Sequence, residues 1–123
     1  MTIIEALNMA DALKPNTYDQ MTKIQWLSQL DLMVKHDVYD THDVVSPIFS
    51  GYNQDTPLDT VLLIPSPYDR VYQRWLDAQI DLANGEVDRF NASILLFNKD
   101  YTEFINDFNR KYRHKNKSQR FLF

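Results

Sequence analysis

VDRFNASILLFNKDYTEFINDFNRKY, residues 87–112, is the stretch that decides the fold. Val87, Phe90, Ile94, Phe97, Tyr101, Phe104 and Phe108 recur at alternating steps of three and four, an apolar seam of about six helical turns. Tyr112 nearly extends it. Leu95, Leu96 and Ile105 widen the seam, as expected of a helix packed in a bundle rather than in a two-stranded coil. Such a stripe is read as core, not as a ligand box. Asn84-Gly85 stands just upstream, and glycine closes a helix in the left-handed conformation at little cost. A tight turn there predicts an antiparallel helical hairpin, residues 67–83 and 86–112.

Working outward, Ser66-Pro67-Tyr68-Asp69 reads as a helix start: Ser66 as N-cap, Pro67 at the first helical position, Asp69 near the positive end of the dipole. Tyr68, Val71, Tyr72, Trp75, Leu76, Ile80, Leu82 and Ala83 are its expected buried side. At the other end of the chain, Thr2 with Glu5 forms a capping box, and Ile3, Ile4, Leu7, Ala10 and Leu13 give a short helix one apolar side, stopped by Pro15. Thr17 with Gln20 repeats the box. Met21, Ile24, Leu27, Leu30, Val34 and Val38 then keep helical spacing to about Asp40. Trp26 and Met33 lie off that stripe and imply a second apolar contact, either within the chain or with a neighbouring subunit.

Between Thr41 and Pro65 the helical period disappears. Pro47, Gly51, Asn53, Pro57 and Pro65 punctuate the segment, while Val44-Val45 and Val61-Leu62-Leu63-Ile64 read as two short extended pieces. A connection of about 25 residues with little regular structure is more often a binding element than a plain linker. The expected class is all-α: four helices with a C-terminal helical hairpin, a long irregular central loop and an extended basic tail.

Charge is sorted along the chain. Residues 1–109 hold 7 Lys/Arg against 17 Asp/Glu, a balance of −10, whereas residues 110–123 hold 6 Lys/Arg and no acid, a balance of +6. Opposite fields on one small protein favour contact between the tail of one copy and the body of another, or with a separate acidic partner. The tail carries three readings: a solubilising terminus, a phosphate grip on DNA, or a docking arm. Phe121-Leu122-Phe123 favours docking onto protein, because burying each such side chain is worth about 1.5–3 kcal/mol.

The totals bound the rest. A length of 123 residues makes one domain. With 44% apolar residues the body should fold. Zero cysteines exclude disulfides and thiolate metal sites and fit a reducing cytosol. The longest apolar runs are far short of a membrane span, and no basic region precedes a greasy N-terminal core, so a soluble chain without signal peptide is expected. Only Gly51 and Gly85 are glycines, which excludes glycine-rich phosphate loops. His36 and Asp40, four apart, are a weak metal-like pair; the plainer reading places His36 at a helix end. Asp77 with Asp81, and Asp100 with Glu103 and Asp107, share helix faces, yet nothing in the sequence splits their pKa values. They read as a solvated acidic face that receives another subunit's basic tail. No catalytic residue, metal or cofactor is assigned.

Phe49-Ser50-Gly51-Tyr52, Asp55-Thr56-Pro57-Leu58-Asp59-Thr60 and Leu63-Ile64-Pro65-Ser66-Pro67-Tyr68-Asp69 together resemble the small head-tail connector proteins of tailed phages and prophages of Firmicutes. Leu13-Lys14-Pro15-Asn16, Lys23-Ile24-Gln25-Trp26-Leu27-Ser28 and Leu30-Asp31 are similar to that group's beginning, and Ala78-Gln79-Ile80-Asp81 with Ala83-Asn84-Gly85-Glu86 to its middle. Arg120-Phe121-Leu122-Phe123 is similar to its close. The resemblance implies a non-enzymatic helical adaptor at the head-tail interface of the virion, assembled in the host cytoplasm. It implies a homo-oligomeric ring beneath the portal protein that extends the DNA channel, meets a downstream head-completion or tail protein, and touches no membrane. An acidic lumen would let DNA slide past with at most non-specific contact. On this reading residues 1–112 are the connector domain and 113–123 the arm. Expected partner contacts are Phe49, Tyr52, Leu58 and Leu62 of the loop and Arg113, Lys115, Lys117, Arg120, Phe121 and Phe123 of the arm. The alternative is a DNA-binding accessory protein that uses the basic tail; a small metal-dependent enzyme built on the His36–Asp43 cluster is a second rival.

Overall fold

Thr2 caps the first helix as its sequence requires: its hydroxyl accepts from the Glu5 amide at 3.3 Å while Glu5 Oε1 accepts from the Thr2 amide at 2.9 Å. The computed structural model describes residues 1–115. Helix α1 spans Ile3–Leu13, α2 Gln20–Val34, α3 Val71–Ala83 and α4 Val87–Lys111. A π-helical turn, Lys35–Tyr39, prolongs α2, and a 3-10 turn, Tyr68–Arg70, precedes α3. The all-α expectation holds for this part of the chain. Among the described residues the extended pieces form no strand, only two isolated antiparallel bridges, Thr2 with Val61 and His42 with His114.

Several boundaries differ from the sequence reading, each for a local reason. Asp19, not Thr17, caps α2, its carboxylate accepting from the Thr22 amide at 2.7 Å. A carboxylate at the positive end of the dipole is the stronger of the two candidate caps. Helix α3 begins at Val71 rather than at Pro67, because the Tyr68 amide closes a turn onto the Pro65 carbonyl at 2.9 Å and only a 3-10 turn follows. Gly85, at φ +74°, ends the α3 side of the hairpin as expected.

The core is formed by Ile3, Ala6, Leu7 and Ala10 of α1, Ile24, Leu27, Leu30 and Val34 of α2, Val71, Tyr72 and Leu76 of α3, and Phe97, Phe104 and Phe108 of α4. Trp26 and Met33 pack against this cluster from within the chain, and the Trp75 indole N–H donates to the Trp26 carbonyl at 2.7 Å. Their second contact is therefore intramolecular. Helix α4 pairs chiefly with α3, so one face suffices for its burial. Leu95 and Leu96, expected to widen the seam, are 69% and 45% exposed, and Val87, Leu82 and Leu13 also face solvent. Among the described residues α4 has its chief helical partner in α3, which leaves Leu95 and Leu96 uncovered.

The connector is folded tightly despite its prolines. Carbonyls of Thr60 and Leu58 accept from the Ile3 and Ile4 amides at 3.0 and 2.9 Å. Those amides are among the four that every helix start leaves without intrahelical partners, so the connector completes the cap that Thr2 begins. At Gly51, φ is +115° and a Cβ would stand 2.9 Å from Ser28 Oγ, which instead accepts from the Tyr52 amide at 2.9 Å. Only glycine lets the loop approach α2 so closely. Among the described residues no helix is long and apolar enough to cross a membrane.

Candidate partner-binding surface

Asp31, fully buried on α2, organises the connector. Tyr72 Oη donates to Oδ1 at 2.6 Å, and Tyr52 Oη and the Leu63 amide donate to Oδ2 at 2.5 and 3.1 Å. The Ile64 amide in turn donates to Tyr72 Oη at 2.7 Å. Burial raises the Asp31 pKa, and the three donors only partly offset that by favouring the charged form. Burial likewise pushes both tyrosine hydroxyls up, with the neighbouring Asp31 charge acting the same way. This hub tethers two points of a long loop to α2 and α3, which makes it a scaffold rather than a reactive pair.

The consequence corrects part of the expected contact surface. Tyr52 and Leu62, expected to meet a partner, are core residues at 8% and 3% exposure. Phe49 packs on Tyr52 with ring centroids 4.7 Å apart and planes tilted by 58°, and Phe49 and Leu58 are half-buried against the core. Satisfying the α1 amides and the Asp31 carboxylate draws these side chains inward. The connector's exposed apolar residues are instead Val45 and Ile48, both essentially fully exposed. Nothing in their local sequence separates them from Val44 or Phe49.

The expected acidic face is also corrected. Asp81, 1% exposed, accepts from Lys14 Nζ at 2.8 and 2.7 Å and from Ser93 Oγ at 2.6 Å. Asp100, 7% exposed, faces Arg70 and Arg74, with nitrogen to oxygen distances of 3.2 and 3.1 Å. Asp107 pairs with Lys111 at 3.0 Å, and that hydrogen bond leads the lowering of its pKa. Each of these acids pairs with a cation of its own chain, Asp81 and Asp100 with cations from other elements and Asp107 with Lys111 on the same helix. His36 and Asp40 do not converge either: His36 turns to Asp37 at 2.9 Å while Asp40 accepts from Lys35 at 3.1 Å and from Ser46. Among the described residues no group of three or more metal-ligating side chains forms.

The start of the expected arm is joined to the body. The Asp43 amide donates to the Arg113 carbonyl at 2.6 Å and the Lys115 amide to the Thr41 carbonyl at 2.8 Å. His42, 1% exposed, stacks on His114 with centroids 4.1 Å apart, and both rings lie within hydrogen-bond reach of Asn109 Oδ1, at 2.7 and 3.0 Å. Residues 113–115, assigned to the arm, thus lie against the body. Arg113 and Lys115 remain exposed at this junction. Lys117, Arg120, Phe121 and Phe123 lie outside the described residues.

Beside the junction runs a groove of about 240 Å³ between the connector and the end of α4, its walls combining Tyr39, Val44, Pro65, Tyr68 and Tyr112 with the polar Ser66, Asp107 and Lys111, and Val45 at its rim. Further exposed apolar side chains of the hairpin are Leu82 and Val87, which flank its turn, and Leu95 and Leu96 on α4. Rising about 1.5 Å per residue, α4 separates Val87 from Phe108 by about 30 Å. No protein-family model, curated protein or solved structure matches the chain.

Proposed function

We propose that the protein is a structural head-tail connector of a tailed phage or prophage, forming a homo-oligomeric ring beneath the portal protein and prolonging the DNA channel. The observation that supports this reading beyond the sequence resemblance is the exposure of apolar side chains at two separated, dissimilar places: Val45 beside the C-terminal end of α4, and Leu82 and Val87 flanking the hairpin turn at its other end. A two-fold dimer uses one self-complementary patch twice, whereas a head-to-tail contact needs two different ones and closes into a ring when its rotation allows. A subunit with separated, unlike patches suits the second geometry. The Asp31 hub supports the same reading, because a loop that presents contacts to neighbours must itself be rigid. The portal and a downstream head-completion or tail protein are the further partners, and the virion head-tail interface the place.

Removing the gene from a producing phage tests this. The proposal expects particles that accumulate DNA-filled or leaking heads without joined tails, rescued by supplying the protein in trans. Normal yields of infectious virions in its absence would refute it.

A further inference from the structure

Two of the chain's three histidines meet at one side-chain oxygen, and we propose that His42 Nε2, His114 Nε2 and Asn109 Oδ1 hold a late first-row divalent metal ion such as nickel(II). The donors come from the connector, the last turn of α4 and the segment that follows it. Two are imidazoles and the third is an amide oxygen, a set distinct from the groups of His, Cys, Asp and Glu that the described residues lack. His42 Nδ1 lies 2.7 Å from the Val38 carbonyl and 3.1 Å from Thr41 Oγ1, which itself donates to the Asp37 and Val38 carbonyls. A carbonyl only accepts, so Nδ1 carries the proton of the neutral ring and Nε2 the lone pair. An outer hydrogen bond of this kind is what orients most metal-binding histidines.

His42 Nε2 faces Asn109 Oδ1 at 2.7 Å, and His114 Nε2 faces the same oxygen at 3.0 Å. The first of these sets acceptor against acceptor, and a cation among the three atoms removes the mismatch. Their spacing suits one. Ligand atoms about 2.1 Å from a common ion and at right angles to one another stand about 3.0 Å apart. The two ring centroids are 4.1 Å apart. An ion bound in a ring plane lies about 3.2 Å from its centroid, so at that separation the imidazoles subtend about 80°. Such a cis pair with an amide oxygen is the donor set of a six-coordinate or square ion rather than of tetrahedral zinc. His114 and Asn109 are exposed, which opens the remaining positions to water, while the Phe108 ring, 4.7 Å from His42, walls the inner side. Bound there, the ion ties the chain after α4 to the connector, alongside the Asp43–Arg113 and Lys115–Thr41 backbone bonds. The site lies within one subunit, whatever assembly the protein joins.

Calorimetric titration of chelator-treated, full-length protein with nickel chloride tests it. Wild type should take up one ion per chain and melt at a higher temperature when loaded. His114→Ala, at an exposed position, should weaken binding about ten-fold or more. Asn109→Asp, which offers a charged oxygen in the same place, should tighten it about ten-fold. His36→Ala removes the one histidine outside the site and should leave the affinity unchanged. No uptake by wild type, the result if Asn109 turns its NH2 toward both imidazoles, would overturn the proposal. So would uptake that survives His114→Ala, disappears with His36→Ala, or gains nothing from Asn109→Asp.

Discussion

Tyr72 Oη donates to Asp31 Oδ1 at 2.6 Å across 41 residues of sequence, joining α3 to α2 at a point where neither group meets solvent. With Tyr52 and the Leu63 amide on the other oxygen, this contact replaces regular strand pairing as the means by which the connector is held. Replacing Asp31 by alanine strands three buried donors, and the expected loss is about 3–5 kcal/mol of unfolding free energy. Urea titration of the variant measures it; a loss below about 1 kcal/mol would show that the donors find other partners.

The same residue sets a pH dependence. Because burial raises the Asp31 pKa above the ordinary 3.8, the folded chain keeps a proton that the unfolded chain has released in the window just above 3.8. Stability from this group is therefore greatest at or below 3.8 and declines as pH rises through the folded value. The stability difference between wild type and Asp31→Asn should shift against the wild type across that window. Urea unfolding of both chains at a series of pH values reads the difference, and a flat line would contradict it.

Lys14 and Asp81 give a double-mutant prediction. Removing the amine by Lys14→Met leaves Asp81, 1% exposed, with only Ser93 as partner, and should cost about 2–3 kcal/mol. Adding Asp81→Leu should recover most of it, because a buried charge without its partner costs more than an apolar side chain in the same place. Thermal melts of the two singles and the double give the coupling directly.

Tyr101 offers a substitution in the stabilising direction. Its ring stacks on Phe97 with centroids 5.3 Å apart and planes 16° from parallel, while its buried hydroxyl has no hydrogen-bond partner. Burial pushes its pKa up to about 12. Tyr101→Phe keeps the stacking and removes the orphaned group, so a gain of up to about 1 kcal/mol is expected. A clear loss in chemical denaturation would mean that the hydroxyl is solvated or bonded.

How much of this was legible in the sequence depends on the range of the interaction. The α4 seam from Phe97 to Phe108, the Thr2 capping box and the Gly85 stop are local patterns, and the structure repeats them. Leu95 and Leu96 misled because a wide stripe implies neighbours on both sides, and α4 has its main partner in α3 alone. The Asp31 hub is invisible to local rules, since its partners lie 21 to 41 residues away. Its one trace is position: Leu27, Asp31, Val34 and Val38 share a face, so a carboxylate interrupts an otherwise apolar stripe. The inward turn of Tyr52 and Leu62 follows from that hub and was unreadable without it. Lys14, Arg70 and Arg74 reach Asp81 and Asp100 from other elements for the same reason.

If the exposed apolar side chains of the hairpin form a subunit contact, charges there should block assembly without unfolding the chain. Leu95→Glu with Leu96→Glu changes exposed positions, so stability should move by about 0.5 kcal/mol or less per site. The double variant should fail to complement a phage lacking the protein while circular dichroism and melting stay near wild type. Full complementation would remove these two residues from the interface.

Electron-microscopic reconstruction of particles at the portal vertex, prepared with and without the protein, tests the connector assignment most directly. The account predicts a ring of helical subunits below the portal that is present in the first preparation and missing from the second. Identical portal vertices in both would contradict it.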